Sequence, residues 1–349
     1  MKDSRLLNLV LSLILVLVIG YFLVIGRSIL VPIVTAVISV YLMVSATEGL
    51  RRLPLLDRFP GAVLRMLVLI VFAAVVYVFA VVVAATVSDI AAVAPTYQQN
   101  IEALLNRIEL RFDVDSREII NDAWTVTFGQ LDLRSMILSV LGSFTIVGMS
   151  IFLIVVYAGF LMAERDSFAA KISAAMVDPD RTERMTRIIS DINNRIGEYL
   201  TVKTVINLIL GAICLAILLF FGADFAFFWA IVIALLNYIP YVGSLLAVAF
   251  PVMLSLAQTG SLWHTIGLGA CLITAQVVVG NWLEPRMIGR QMNLSPFVVL
   301  VALSVWSAIW GVPGAILAVP MTAMIAIVLG AFPETRFMAV LLAARVDEE

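Results

Sequence analysis

Few residues in this chain could do chemistry, and the carboxylate of Glu284 stands out among them. It follows Asn281, precedes Pro285 and ends an apolar run in "NWLEPRMIGR". A carboxylate in a partly dry site can exchange a proton for a cation. The plainer role is a helix-end acid paired with Arg286 or Arg290. A second group interrupts another apolar run, "LLNYIPYVGSLLAVAFP", with Asn237, Tyr238, Pro240, Tyr241, Gly243 and Ser244. Pro240 cannot donate and frees a carbonyl about one turn earlier, near Leu236. Amides and hydroxyls there can bond such groups or a solute. Gln276, an amide inside the run that leads to Glu284, belongs with these pathway candidates. Such a set suits a small polar solute or a monovalent cation, with Na+ or H+ as coupling ion. It does not suit bond-making chemistry.

Other polar residues invite simpler readings. Asp224 is expected to cap the helix that follows it rather than relay protons. Glu198 and Lys203 are expected to form an exposed ion pair. Glu164, Arg165 and Asp166 read as an interfacial stop. There is no G-x-S-x-G, H-E-x-x-H or GxxxxGK[ST] motif, so neither an enzyme nor a self-contained ATP-driven pump is expected. His264 is the only histidine, which excludes a multi-histidine metal site within one chain. Cys214 and Cys271 lie in apolar runs and read as small buried hydrophobes. No cofactor and no metal are expected. A net charge of −2 gives no pull toward nucleic acid.

The elements that must position these residues are set by composition. Of 349 residues, 62% are hydrophobic and 13% charged, against roughly 45–50% and 25% in a soluble domain. The excess lies in runs of about 18 or more apolar residues, long enough to cross a bilayer as helices. The expected class is an all-α polytopic membrane protein of about eight membrane segments. Residues 1–87 hold three spans. Residues 88–135 form a polar, amphipathic segment outside the membrane, with Ile101, Leu104, Leu105 and Ile108 at helical spacing and Ser116 as a candidate cap. Residues 136–201 hold a fourth span and a charged helix in which Ile188, Ile189, Ile192 and Ile196 recur. Residues 202–332 form a core with two interrupted runs, 225–257 and 296–330, and 333–349 form a tail.

Lysines and arginines before span one, after span two and after span four share one side if spans alternate, and that side is the cytoplasm. Both termini are then cytoplasmic, in a bacterial inner membrane. Each half of the run 225–257 is shorter than the roughly 20 residues a crossing needs. The run is therefore expected to dip in and return as a re-entrant hairpin with "IPYVG" at its tip. The run 296–330 is broken by "GVPG" and is expected to do the same from the opposite face. "GSLLAV" after the first break parallels "GAILAV" after the second, each followed by a proline, Pro251 or Pro320. Opposed, similar halves are the pattern of an inverted repeat with a transport site at the breaks.

Four blocks carry a resemblance to a known family: "RIGEYLTVKTVINLILGAICLAILLFFG", "LLNYIPYVGSLLAVAFPV", "NWLEPRMIGRQMNLSPFVVLVAL" and "GVPGAILAVPMTAMI". In order and spacing they resemble the autoinducer-2 exporter family of bacterial membrane proteins, strongest over 195–329. The resemblance implies about eight membrane segments, cytoplasmic termini, and either efflux of a small signalling molecule or sodium (lithium)/proton antiport. Pro240 and Gly243 fit the family's helix break, with Asn237 and Tyr241 around it. Ser244 stands where the family usually has proline. Glu284 and Pro285 fit its Glu-Pro step and Gly289 the glycine beyond. Gly311 and Gly314 fit the second break, and Pro320 the proline after it. A rival expectation is a non-transporting scaffold whose 88–135 segment binds an envelope partner. Membrane lipid is a partner in either case, and the apolar faces of the amphipathic segments permit a homo-oligomer.

Overall fold

The computed structural model describes residues 2–51, 58–112, 152–164, 171, 179–288 and 293–345. Among these residues every regular element is helical, as expected where backbone groups must pair within their own segment. The elements are α1 (Lys2–Ile25), α2 (Arg27–Arg51), α3 (Gly61–Phe112), α4 (Phe152–Glu164), α5 (Pro179–Phe220), α6 (Ala226–Leu236), α7 (Val242–Thr259) and α8 (Leu262–Val278). A π-helical turn, Val279–Leu283, leads into α9 (Glu284–Ile288), followed by α10 (Pro296–Gly330) and α11 (Arg336–Leu342). Six helices among the described residues are long and apolar enough to cross a membrane: α2, α3 over Gly61–Ile90, α5, α7, α8 through α9, and α10. Large apolar side chains point outward, with Phe220 85% and Trp263 86% exposed, as suits a protein solvated by lipid. Cys214 is buried as expected, but Cys271 is exposed on α8: its run is apolar because it faces outward, not because it is core.

Composition marked where water begins, not where a helix ends. The sequence reading ends span three near Val87, whereas α3 continues through Pro95 to Phe112, 52 residues in all, about 78 Å at 1.5 Å per residue. Beyond the apolar stretch, Tyr97 and Leu104 are buried on one face. The expected helix after Ser116 and the first part of the fourth span lie outside the described residues.

The chain forms two compact units. One comprises Met1–Ile70, Ile151–Thr201 and Arg290–Glu349. In it α10 packs on α1, α2 and α11, Trp310 Nε1 donates to the Leu23 carbonyl at 3.0 Å, and the Thr201 and Ser45 hydroxyls bond at 2.6 Å. Ile188 and Ile196, from the charged helix, are buried. α10 is not one rod, for Gly311 breaks it at φ 66°, ψ −141°. Trp306 Nε1 donates to Thr322 Oγ1 at 3.1 Å across a separation of 16 residues. An uninterrupted helix would hold those residues roughly 24 Å apart, so the chain folds back on itself between them. A Cβ on Gly314 would run into the Trp306 carbonyl oxygen.

The other unit comprises Val71–Ser150 and Val202–Gly289. Its core is a stripe of α5 at spacing four, Ile206, Leu210, Cys214 and Leu218, packed with Ala226 and Ile233 of α6, Ala247 of α7, and Leu268 and Leu272 of α8. α6 and α7 are the arms of a helical hairpin. Trp229, near the start of α6, stacks on Phe250 of α7 with centroids 6.1 Å apart. The open end is tied by Gln258, whose Oε1 accepts from the Asp224 N–H at 3.1 Å and whose Nε2 donates to the Gly222 carbonyl at 3.0 Å. The arms are unequal: α6 has 11 residues and α7 has 18.

Candidate functional site: a polar cluster at a hairpin tip

The α6–α7 tip spans Asn237 to Tyr241, where Pro240 ends helical pairing. Tyr241 adopts φ 60°, ψ −59°, the strained form of a three-residue turn, and the Val242 N–H reaches the Pro240 carbonyl at 2.6 Å. The carbonyl expected to be left free at Leu236 is not free. It accepts from the Ile239 N–H at 2.8 Å, while the Gly243 N–H bonds the Ile239 carbonyl at 3.1 Å. Tight turns thus replace helical bonds. Gly243 is required because a Cβ there would collide with the Leu236 carbonyl. Ser244, at the position of the resembled family's proline, donates to the Tyr241 carbonyl at 2.9 Å and closes the turn by hydrogen bond instead of ring.

Side chains from the tip meet one face of α5. Asn237 Nδ2 donates to Asn207 Oδ1 at 2.8 Å, and the Tyr238 and Thr204 hydroxyls share a 2.6 Å hydrogen bond. Next to Thr204, Lys203 Nζ donates to Glu284 Oε1 at 2.5 Å. The Lys203 side chain is 6% exposed and that of Glu284 26%. The expected partners are therefore corrected. Lys203 does not pair with Glu198, because five residues along a helix place them on different faces. Glu284 does not pair with Arg286, whose guanidinium lies over the Trp282 ring at 3.9 Å, and Arg290, the other expected partner, lies outside the described residues. The π-turn just before Glu284 adds a residue to the winding and so resets which face the carboxylate occupies.

Asp224 also departs from expectation. Phe225, in left-handed conformation, holds the cap position of α6, and the Asp224 carboxylate accepts from the Tyr97 hydroxyl at 2.6 Å. Tyr97 lies on α3 beyond its apolar stretch. Burial first, then the hydrogen bond and charge of Asp224, hold its phenol above the usual range.

The remaining candidates scatter. Gln276 is half-buried, and its Nε2 is one of the buried polar atoms with no bonding partner, as is Nδ2 of Asn207. Asn281 and Pro285 are exposed, and Gly289 falls outside the described residues. Gly311, Gly314 and Pro320 belong to the α10 break in the other unit, where Gly314 and Pro320 are buried. Reading the sequence missed Thr204 and Asn207. The signal was present: "LTVKTVINL" carries Lys203, Thr204 and Asn207 on one helix face inside an otherwise apolar run. Among the described residues no group of three or more His, Cys, Asp or Glu could hold a metal.

The sequence profile of the AI-2E family transporter matches residues 11–334. The chain is 32% identical over 247 residues to the AI-2 transport protein TqsA of Escherichia coli strain K12, a stretch covering 70% of this chain and 68% of that protein. It is 31% identical over 236 residues to a provisionally named transport protein of Borreliella burgdorferi, covering 67% and 64%. A third such protein, from Alkalihalophilus pseudofirmus, is 25% identical over 332 residues, covering 90% and 84%.

Proposed function

The chain belongs to the AI-2E transporter family, and from that premise we propose that it is a secondary transporter of a small polar solute, such as an AI-2-like signal, or of a monovalent cation exchanged for protons. The observation that carries this reading is the partly buried Lys203–Glu284 pair beside the two side-chain bonds of the hairpin tip. Ionisable residues at membrane depth are costly and mark solute or proton routes. Neutralising Glu284 would dissolve the pair and leave the adjoining tip bonds at Thr204 and Asn207 in place. The α6–α7 and α10 hairpins are, in this reading, re-entrant segments of an inverted repeat whose tips rearrange to alternate access. The chain then resides in the bacterial inner membrane with both termini cytoplasmic.

The test is flux in proteoliposomes carrying the full chain, with Na+, Li+ and a small polyhydroxylated signal offered in turn across a pH gradient. Saturable flux of at least one, with pH coupling lost in Glu284→Gln, is expected. Absence of flux for the whole panel, or unchanged coupling in Glu284→Gln, overturns the reading.

A further inference from the structure

A second polar feature lies within the unit that holds α10. A cavity of about 430 Å³ opens between the charged helix α5, the end of α10 and α11. Its walls are of two kinds. Ala326 and Val340 are among the apolar residues, and the charged ones are Arg195, Arg336 and Arg345 with a single acidic residue, Asp191. Three positive residues face one negative residue in a chain whose net charge is −2.

The third arginine is held in place. Asn293 Oδ1 accepts from the backbone N–H of Ala344 at 3.1 Å and of Arg345 at 3.0 Å, and its Nδ2 donates to the Arg345 carbonyl at 2.8 Å. The segment after α11 is thereby folded back to complete the wall. α11 turns Arg336 and Val340 to the cavity while Phe337 and Leu341 stand 64% and 73% exposed. A short helix with one basic residue on the cavity and apolar side chains outside suits the membrane interface.

We propose that this cavity binds a phosphate-bearing anion, with the headgroup of an anionic phospholipid as the occupant its surroundings favour. A guanidinium cluster matches phosphate oxygens in pairs. Basic pockets between membrane helices hold such headgroups. The apolar wall and the outward face of α11 give the acyl chains somewhere to lie, which a free anion does not need.

The test uses the full chain in neutral detergent. Retention of phosphatidylglycerol and of phosphatidylcholine is measured by native mass spectrometry, and inorganic phosphate is titrated separately against thermal unfolding. Phosphatidylglycerol is expected to be retained over phosphatidylcholine. Arg195→Gln and Arg345→Gln should each reduce retention about fivefold, from the usual worth of one basic residue near an anionic headgroup. Arg187→Gln, which removes the same charge from an exposed pair with Glu183, should leave retention unchanged. Phosphate stabilisation lost in Arg195→Gln, with no lipid preference, would keep the anion site and assign its occupant to solution. No preference in either arm, or an equal loss in Arg187→Gln, overturns the site. These readouts are independent of solute flux, so this site and the transport reading fail separately.

Discussion

Lys203 and Glu284 are separated by 81 residues in the chain, yet their charged groups meet at 2.5 Å between α5 and α9. The two partners are unequally placed, since the ammonium is almost fully enclosed and the carboxylate is partly open. Removing one member of a fully buried pair strands the other at a cost of about 3–5 kcal/mol, an upper bound for this partly open one. Glu284→Ala should therefore lower the thermal unfolding temperature in detergent more than Lys203→Met, because the latter leaves a carboxylate that can reach water. The double substitution should recover part of the loss. Strict additivity of the two losses would show that the groups do not act as a pair.

Gly243 and Gly314 meet the same obstacle in different hairpins, a backbone carbonyl from the preceding arm. Gly243→Ala and Gly314→Ala should both sharply reduce the yield of folded protein. Gly280→Ala, with nothing near its added methyl, should be tolerated. Gly311 differs: space is open around it, and its φ of 66° is the constraint. Its alanine variant should lose about 1–3 kcal/mol from backbone strain alone. Expression and thermal melts of the four variants rank these effects.

The turn in α10 can be read by chemistry. Trp306→Cys with Thr322→Cys, in a background lacking Cys214 and Cys271, should cross-link within one chain with a short bifunctional reagent. A straight α10 would separate the two thiols by roughly 24 Å and give no product. Intramolecular product on a denaturing gel decides between them.

Tyr97 and Asp224 predict an alkaline sensitivity. The folded phenol titrates above the unfolded value of about 10, so the folded state holds its proton longer. Stability from this contact is complete below that value and falls as pH rises through and beyond it. Thermal melts across the alkaline range should show that decline, and Tyr97→Phe should flatten it. An identical slope in the variant would place the sensitivity elsewhere.

What the sequence disclosed was local. Apolar runs announced helices, and Pro240 and Gly311 announced interruptions, because a missing donor and a left-handed backbone act at their own positions. Partners across the chain were not legible. Glu284 had two arginines within reach in sequence, and only packing against α5 supplied Lys203. Asp224 looked like a cap because capping is a neighbour's job, whereas its partner Tyr97 is 127 residues away. The length of α3 was hidden for another reason. Polarity changes at Ser88, but nothing there forbids helical backbone, and the buried face at Tyr97 and Leu104 carries the helix onward.

The tip of the α6–α7 hairpin brings its own wrapping. Because its turns pair the Leu236, Ile239 and Pro240 carbonyls internally, those peptide groups would stay satisfied in a shift of the tip. Among the contacts such a shift would break are two side-chain ties, Asn237 to Asn207 and Tyr238 to Thr204, each worth about 0.5–1.5 kcal/mol. Ties of that size act as a latch and not a weld.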